Sequence, residues 1–263
     1  SARAARFIAR EASLSMWLSL YIALAIAAAV MFAPGFLLGR TMGLTSKAAL
    51  LVGAPLSVTL YCAAGLAYHL TGVPATPLTM LLAPLLLLGA GCSIRVWRER
   101  EARGTRRHVP TDLAEGVPWQ LILLYTVVGL TAGLVLFAAA LPQIDIPMQA
   151  WDVVSHLNAT RAMMDSHVMD PRGVSVYAAD EALNVMPGPS GFYPSAWSIV
   201  VALVADVSGI DMALCFLAVN LCFAFVVFPL STLLALATLF PHRQGIRAFG
   251  ALASVGVTAF PWQ

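Results

Sequence analysis

Charge is what this chain most lacks. Only 11% of its 263 residues are Asp, Glu, Lys or Arg, against 60% hydrophobic, and the mean hydropathy is +0.83. A soluble domain carries about 25% charged residues, so the deficit excludes an ordinary water-soluble enzyme and points to an integral membrane protein. Cysteine chemistry is equally thin. Cys62, Cys92, Cys215 and Cys222 all fall inside apolar stretches and none belongs to a Cys-x-x-Cys pair, so they read as small buried hydrophobes. No HExxH metal motif, internal repeat or low-complexity tract is evident. The opening SARAARFIAREAS lacks the marks of a signal peptide, because the apolar stretch behind it is too long and has no small-residue cleavage site. Its Arg3, Arg6 and Arg10 recur at helical spacing and predict a short interfacial helix.

Long apolar runs are what the chain does have. About twenty such residues cross the hydrocarbon core, and the candidates are 15–38, 48–71, 77–97, 118–141, 194–210, 212–239 and a run from about 247 to Gln263. The expected fold is all-α: a polytopic transmembrane bundle of about seven spans. It comprises a four-span region over 1–141, a polar loop over 142–194, and C-terminal spans over 195–263 in a chain expected to continue past Gln263. Pro34, Gly35, Pro55, Gly65, Pro84 and Pro229 inside these runs are tolerable in membrane helices.

Basic residues set the expected orientation. Arg95, Arg98, Arg100, Arg103, Arg106 and Arg107 crowd between two apolar runs. Such a run can bind nucleic acid, but beside a span it reads as a cytoplasmic signal, and no nucleic-acid partner is expected. That choice puts Arg40 and Lys47 on the same side and the 142–194 loop outside; the basic N-terminus, Arg243 and Arg247 count against it.

The loop carries most of the unusual chemistry. Six acids (Asp145, Asp152, Asp165, Asp170, Asp180, Glu181) stand there against Arg161 and Arg172. A stretch of this length is usually functional or disordered, and this one is too apolar for disorder. From Gln149 to about Met169 the pattern is helical, with Asp152 and His156 at i and i+4 on one face. Three readings of that pair stay open. It is a helix-surface pair with Asp152 favoured near the N-terminus, a positioned catalytic carboxylate, or two ligands of a divalent metal whose third ligand is not evident. Asn158-Ala159-Thr160 matches a glycosylation sequon and reads as coincidental in mid-helix. His167, Asp170, Pro171 and Arg172 form a helix exit and turn, Asp180 and Glu181 open a second amphipathic piece, and Pro187 to Gly191 bend the chain back to the lipid boundary.

QAWDVVSHLNATRAMMDSH followed by GFYPSAWS resembles a family of uncharacterised actinobacterial multi-pass proteins with a WD…H helix and a YP..W span start. PGFLLGRTMGL, APLSVTLY, VVFPL and AFPW look like the same family, so the resemblance runs from about residue 30 to the end. The chain departs from the pattern at Ser198, where the pattern has histidine. That family in turn looks like the GT-C class of glycosyltransferases, polytopic enzymes that use polyprenyl-phosphate-linked sugars and keep a catalytic carboxylate in a large external loop. Four spans precede the loop here, where the common GT-C plan has one.

What the resemblance implies is a base or metal-binding role for Asp145 or Asp152, with His156 nearby. Arg161 or Arg172 would hold the donor phosphate, with local pairing to Asp165 and Asp170 as the alternative. Trp151, Tyr193 and Trp197 would stack on sugar faces, with an interfacial aromatic belt as the alternative. Expected partners are membrane lipids and a polyprenyl-phosphate sugar in a bacterial plasma membrane, with a divalent metal left open. Two other classes compete: a transporter or flippase for lipid-linked substrate, against which the scarcity of ionisable groups within the spans counts, and a non-enzymatic subunit docking other membrane subunits.

Overall fold

Apolar runs of this length satisfy their own backbone only by coiling, since hydrocarbon offers no water to an open amide. The computed structural model describes residues 2–102, 114, 116–140, 151–172 and 195–258, and among them every regular element is a helix. Among the described residues, four stretches are long and apolar enough to cross a membrane: Ser15–Met42, Leu78–Arg100, Trp119–Leu136 and Met212–Leu239. The first belongs to α1 (Ala2–Met42), which runs unbroken for 41 residues, so the basic N-terminal segment is its opening turns and not a separate interfacial helix.

The run expected at 48–71 is divided at Val52 into α2 (Ser46–Leu51) and α3 (Gly53–Thr71). Thr45 caps α2 by accepting from the Ala48 amide. A π turn, Leu78–Leu82, leads into α4 (Ala83–Ala102). Thr76 and Thr79 cap that start reciprocally, each hydroxyl accepting from the other's amide at 3.4 and 2.9 Å. Then come α5 (Trp119–Ala140), α6 (Trp151–Ser166) and α7 (Ala196–Ser208). The chain closes with α8 (Met212–Cys222), a π turn Phe223–Val227, α9 (Phe228–Leu239) and α10 (Gln244–Thr258). At 13 residues α7 is about 20 Å long, short of the hydrocarbon thickness.

Two compact units make up the chain. One comprises Ser1–Val30, Tyr61–Met80 and Leu141–Asn220; the other comprises Met31–Leu60, Leu81–Ala140 and Leu221–Gln263. In the first, α7 is the centre of the core: Ser198 through Ala205 are all buried, and consecutive helical residues point in every direction around the axis. In the second, Leu121, Ile122 and Tyr125 of α5 pack with Leu230, Leu233 and Ala237 of α9 and Ala251 of α10. The Tyr125 hydroxyl donates to the Arg247 carbonyl at 2.6 Å, and the Arg247 guanidinium donates to the Gly116 carbonyl at 2.9 Å. Arg247 is 2% exposed. A cation turned inward in this way carries no weight as a loop charge in an orientation argument.

Proline creates the fold's main difficulty and its partners resolve it. Pro34 lies inside α1 and has no N–H for the carbonyl of Val30, four residues earlier. In the first unit the buried Tyr61 hydroxyl donates to that carbonyl at 2.7 Å. In the second, the Gly35 amide donates to Ser57 Oγ at 2.7 Å. A Cβ at Gly35 would run into the Gly53 carbonyl, so glycine is required for the approach. Pro229 repeats the problem, since it cannot donate to Phe225 within the π turn. That carbonyl lies where a Cβ on Gly129 of α5 would stand, a close helix contact that only a small residue permits.

Tyr61→Phe should therefore cost about 1–3 kcal/mol by leaving the Val30 carbonyl without a donor. In a Pro34→Ala background the restored amide reaches Val30, and the same substitution should cost less than about 1 kcal/mol. Unfolding of the four proteins in detergent micelles measures the cycle, and equal costs in both backgrounds would refute this account.

Candidate functional site

Helical register puts residues 156, 159 and 163 of α6 on one stripe. Ala159 and Met163 on that stripe are fully buried, and α6 is packed against α7 in the first unit. The apolar spacing thus turns this stripe toward α7. Beside it, Thr160 is buried, its hydroxyl donating to the His156 carbonyl at 2.8 Å. A sequon threonine held this way is not presented to any modifying enzyme.

The structure brings His156 and Trp197 together. Their ring centroids are 5.3 Å apart with planes at 65°, and Trp197 meets Phe216 of α8 at 4.5 Å and 76°. Both are edge-to-face contacts of the kind that fix ring orientation. Ser198, next in the chain, is fully buried, and its hydroxyl has no hydrogen-bond partner among the described residues.

Of the other expected site residues, Trp151 and Asp152 belong to the first turn of α6, and Asp145 and Tyr193 lie outside the described residues. The second amphipathic piece at Asp180 and Glu181 and the bend at Pro187 to Gly191 also lie outside them. Arg161 pairs with Asp165 one turn on, at 2.9 Å, with both side chains mostly exposed. Such a pair contributes little and is readily exchanged. Among the described residues no three His, Cys, Asp or Glu side chains come together as a metal site would require.

The strongest polar constellation lies in the turn after α6, where Arg172 makes the local pair with Asp170 that was the alternative to phosphate binding. Asp170 is fully buried and receives three groups. Arg172 forks onto both carboxylate oxygens, Nε to Oδ1 at 3.0 Å and Nη2 to Oδ2 at 2.7 Å, and its own amide donates to Oδ1 at 2.8 Å. The His69 imidazole of α3 stands 3.9 Å from Oδ2. Burial alone would raise the Asp170 pKa. The hydrogen bonds and charge of Arg172, joined by the charge of His69, outweigh it and hold the carboxyl below its ordinary 3.8.

Backbone contacts complete the joint. The Ser195 hydroxyl donates to the Asp170 carbonyl at 3.0 Å, and the Ser195 amide to the Pro171 carbonyl at 3.2 Å. His167, in the left-handed region at φ +53, ends α6, and its carbonyl accepts from the Ala75 amide at 2.8 Å. Gly65 of α3 admits the Met169 carbonyl where a Cβ would otherwise stand. The short segment after α6 thus ties together α3, the turn before α4 and the start of α7. Arg172 is committed here, while Arg161 faces solvent.

Among the described residues, then, every regular element is a helix, four helices have membrane-spanning length and apolarity, and a polar joint lies beside an aromatic cluster. Residues 28–263 match a family described only as a family of unknown function (DUF6541), and the chain belongs to that family. No curated protein and no solved structure matches it.

Two outcomes follow from the geometry. The folded Asp170 pKa lies below the unfolded value, so its contribution to stability is complete above about pH 4 and is lost as pH falls through the folded value. Asp170→Asn should lower the Tm at neutral pH, and its gap from wild type should narrow in acid; a gap independent of pH from 7 to 3 would contradict the joint. Ser198→Ala removes a buried hydroxyl with no partner, and should leave stability unchanged or raise it by about 1 kcal/mol. A loss of that size in thermal unfolding would reveal a bond to Ser198.

Proposed function

We propose that the chain is a membrane glycosyltransferase-like protein that transfers a sugar from a polyprenyl-phosphate donor at the extracytoplasmic face of a bacterial plasma membrane. The reading includes about seven spans with the 142–194 loop outside. The observation that supports it best is the α6–α7 junction. There position 152 stands one turn before His156, and the His156 ring is set against Trp197 at 5.3 Å. It draws further support from the resemblance of this segment to the GT-C pattern.

In the proposed reaction an acceptor hydroxyl oxygen attacks the anomeric carbon of the donor sugar. The bond from that carbon to the phosphate oxygen breaks, and polyprenyl phosphate leaves with the electron pair. The hydroxyl proton passes to the carboxylate of Asp152 or Asp145 as the new bond forms. His156 holds the carboxylate in place. Arg161, whose exposed pair with Asp165 is easily exchanged, meets the phosphate in preference to Arg172. Trp151, Tyr193 and Trp197 stack on sugar faces. No step is routed through a metal.

A carrier or flippase is the second reading, favoured by one observation: Asp206 Oδ2 of α7 is buried with no hydrogen-bond partner among the described residues. Ionisable groups in apolar helices often mark a translocation path. Asp152→Asn and Asp145→Asn in the full-length protein separate the two. Under the enzyme reading at least one of them lowers transfer from a polyprenyl-phosphate sugar by about 10²–10⁴-fold, while Asp206→Asn leaves transfer intact. Undiminished transfer in both loop variants removes the assignment. Loss of labelled-lipid movement in Asp206→Asn alone would favour the carrier.

A further inference from the structure

Of the helices of spanning length among the described residues, the Leu78–Arg100 stretch is the least covered by protein, with 11% of its apolar window buried. Leu86, Leu87, Ile94 and Trp97 stand exposed along it. Near its Arg-rich end, within the second unit, lies an open recess of about 410 Å³. Its walls are mostly apolar, Leu37 from α1 and Gly89, Cys92, Val96 and Trp97 from α4, with the Ser93 hydroxyl donating back to the Gly89 carbonyl at 2.8 Å. Gly89 leaves the floor open, since a Cβ there would meet nothing within 4 Å. Arg100 closes one end.

The charges at that end are out of balance. Glu99 is already engaged, by Arg95 at 2.8 Å and by Arg40 at 4.0 Å, and Arg95 also donates to the Thr41 carbonyl at 2.8 Å. Arg100 and its neighbour Arg98 are exposed and make no ion pair or hydrogen bond among the described residues. A ligand that satisfies this site must carry negative charge at one end and an apolar tail along the trough. A free inorganic anion would leave the apolar wall wet, and a neutral hydrocarbon would leave the guanidinium uncompensated.

We infer that the recess seats one anionic phospholipid of the surrounding membrane. Its acyl chain lies over Gly89 between Leu37 and Trp97, and its phosphate meets Arg100. Trp97 sits where the apolar and polar parts of such a lipid meet, the position that amphipathic indole rings favour. The Arg100 guanidinium favours a headgroup with net negative charge over a zwitterionic one.

The full-length protein, delipidated in detergent and titrated with equal amounts of phosphatidylglycerol and phosphatidylcholine, provides the test by native mass spectrometry of the lipids retained. Wild type should retain one phosphatidylglycerol over phosphatidylcholine by about fivefold, the scale of one arginine's attraction to an anionic lipid surface. Arg100→Gln should bring the two lipids to equality, and Arg100→Lys should keep most of the preference. A Cβ at position 89 would meet nothing within 4 Å, so Gly89→Leu extends a side chain into the trough and should abolish retention of the lipid while leaving the fold intact. Equal retention of both lipids by wild type overturns the inference. So does a wild-type preference surviving in Arg100→Gln or Gly89→Leu, or a lipid-free dimer in place of the lipid-bound monomer.

Discussion

Every backbone N–H and C=O in an apolar interior must find a partner, and this constraint governs the rest of the structure. Regular helix meets it almost everywhere. The exceptions fall at prolines, and there the neighbours carry specific chemistry. Tyr61 supplies the hydrogen that Pro34 cannot give to Val30. Ser57 takes the amide of Gly35. Around Pro229 the ladder widens into a π turn, and Gly129 lets the Phe225 carbonyl approach α5 without an intervening side chain. Residue types that look unremarkable in the sequence are thus fixed by the carbonyls they face, and helix packing is set as much by these few polar contacts as by apolar area.

The same logic shapes the polar part of the first unit. A buried carboxylate is tolerable only when paired and hydrogen-bonded, and Asp170 has Arg172, His69 and the Arg172 amide around it. Its main-chain carbonyl meanwhile holds Ser195 at the start of α7. Since His167 follows the last residue of α6 and Ser195 precedes the first of α7, this joint fixes both helices that carry the His156 and Trp197 rings. Positioning and candidate chemistry are therefore separate: Asp170 and Arg172 hold the frame, and the α6 stripe faces the contact with α7.

Much of the fold was legible because hydropathy over twenty residues reports the environment directly. The helical pattern expected from Gln149 to about Met169 corresponds to α6, Trp151–Ser166, and the Asp-Pro-Arg turn was readable from local turn chemistry. Two kinds of feature were not readable. His69 meets Asp170 across a wide separation in sequence, and no local pattern joins an imidazole in one apolar run to a carboxylate in a distant loop. Arg247 looked like a loop charge, yet its guanidinium is spent on the Gly116 carbonyl. The segment 194–210 shows the limit of composition itself, since an apolar run buried in protein and one facing lipid read alike. Of the expected site, the contact of His156 with Trp197 follows from the fold, while Asp145 and Tyr193 lie outside the described residues.

That shortness of α7 bears on how the protein is made. Thirteen residues do not partition into a bilayer as an independent span, and Ser198 brings a buried hydroxyl with it. Only Gly209, Ile210 and Asp211 separate α7 from α8, with Gly209 in the left-handed conformation that closes one helix before the next begins. Entry of α7 into a membrane therefore depends on the long apolar stretch Met212–Leu239 that follows it in the chain. Membrane insertion of this region is then a cooperative event in which the longer partner supplies the hydrophobicity and the shorter one is delivered to its place.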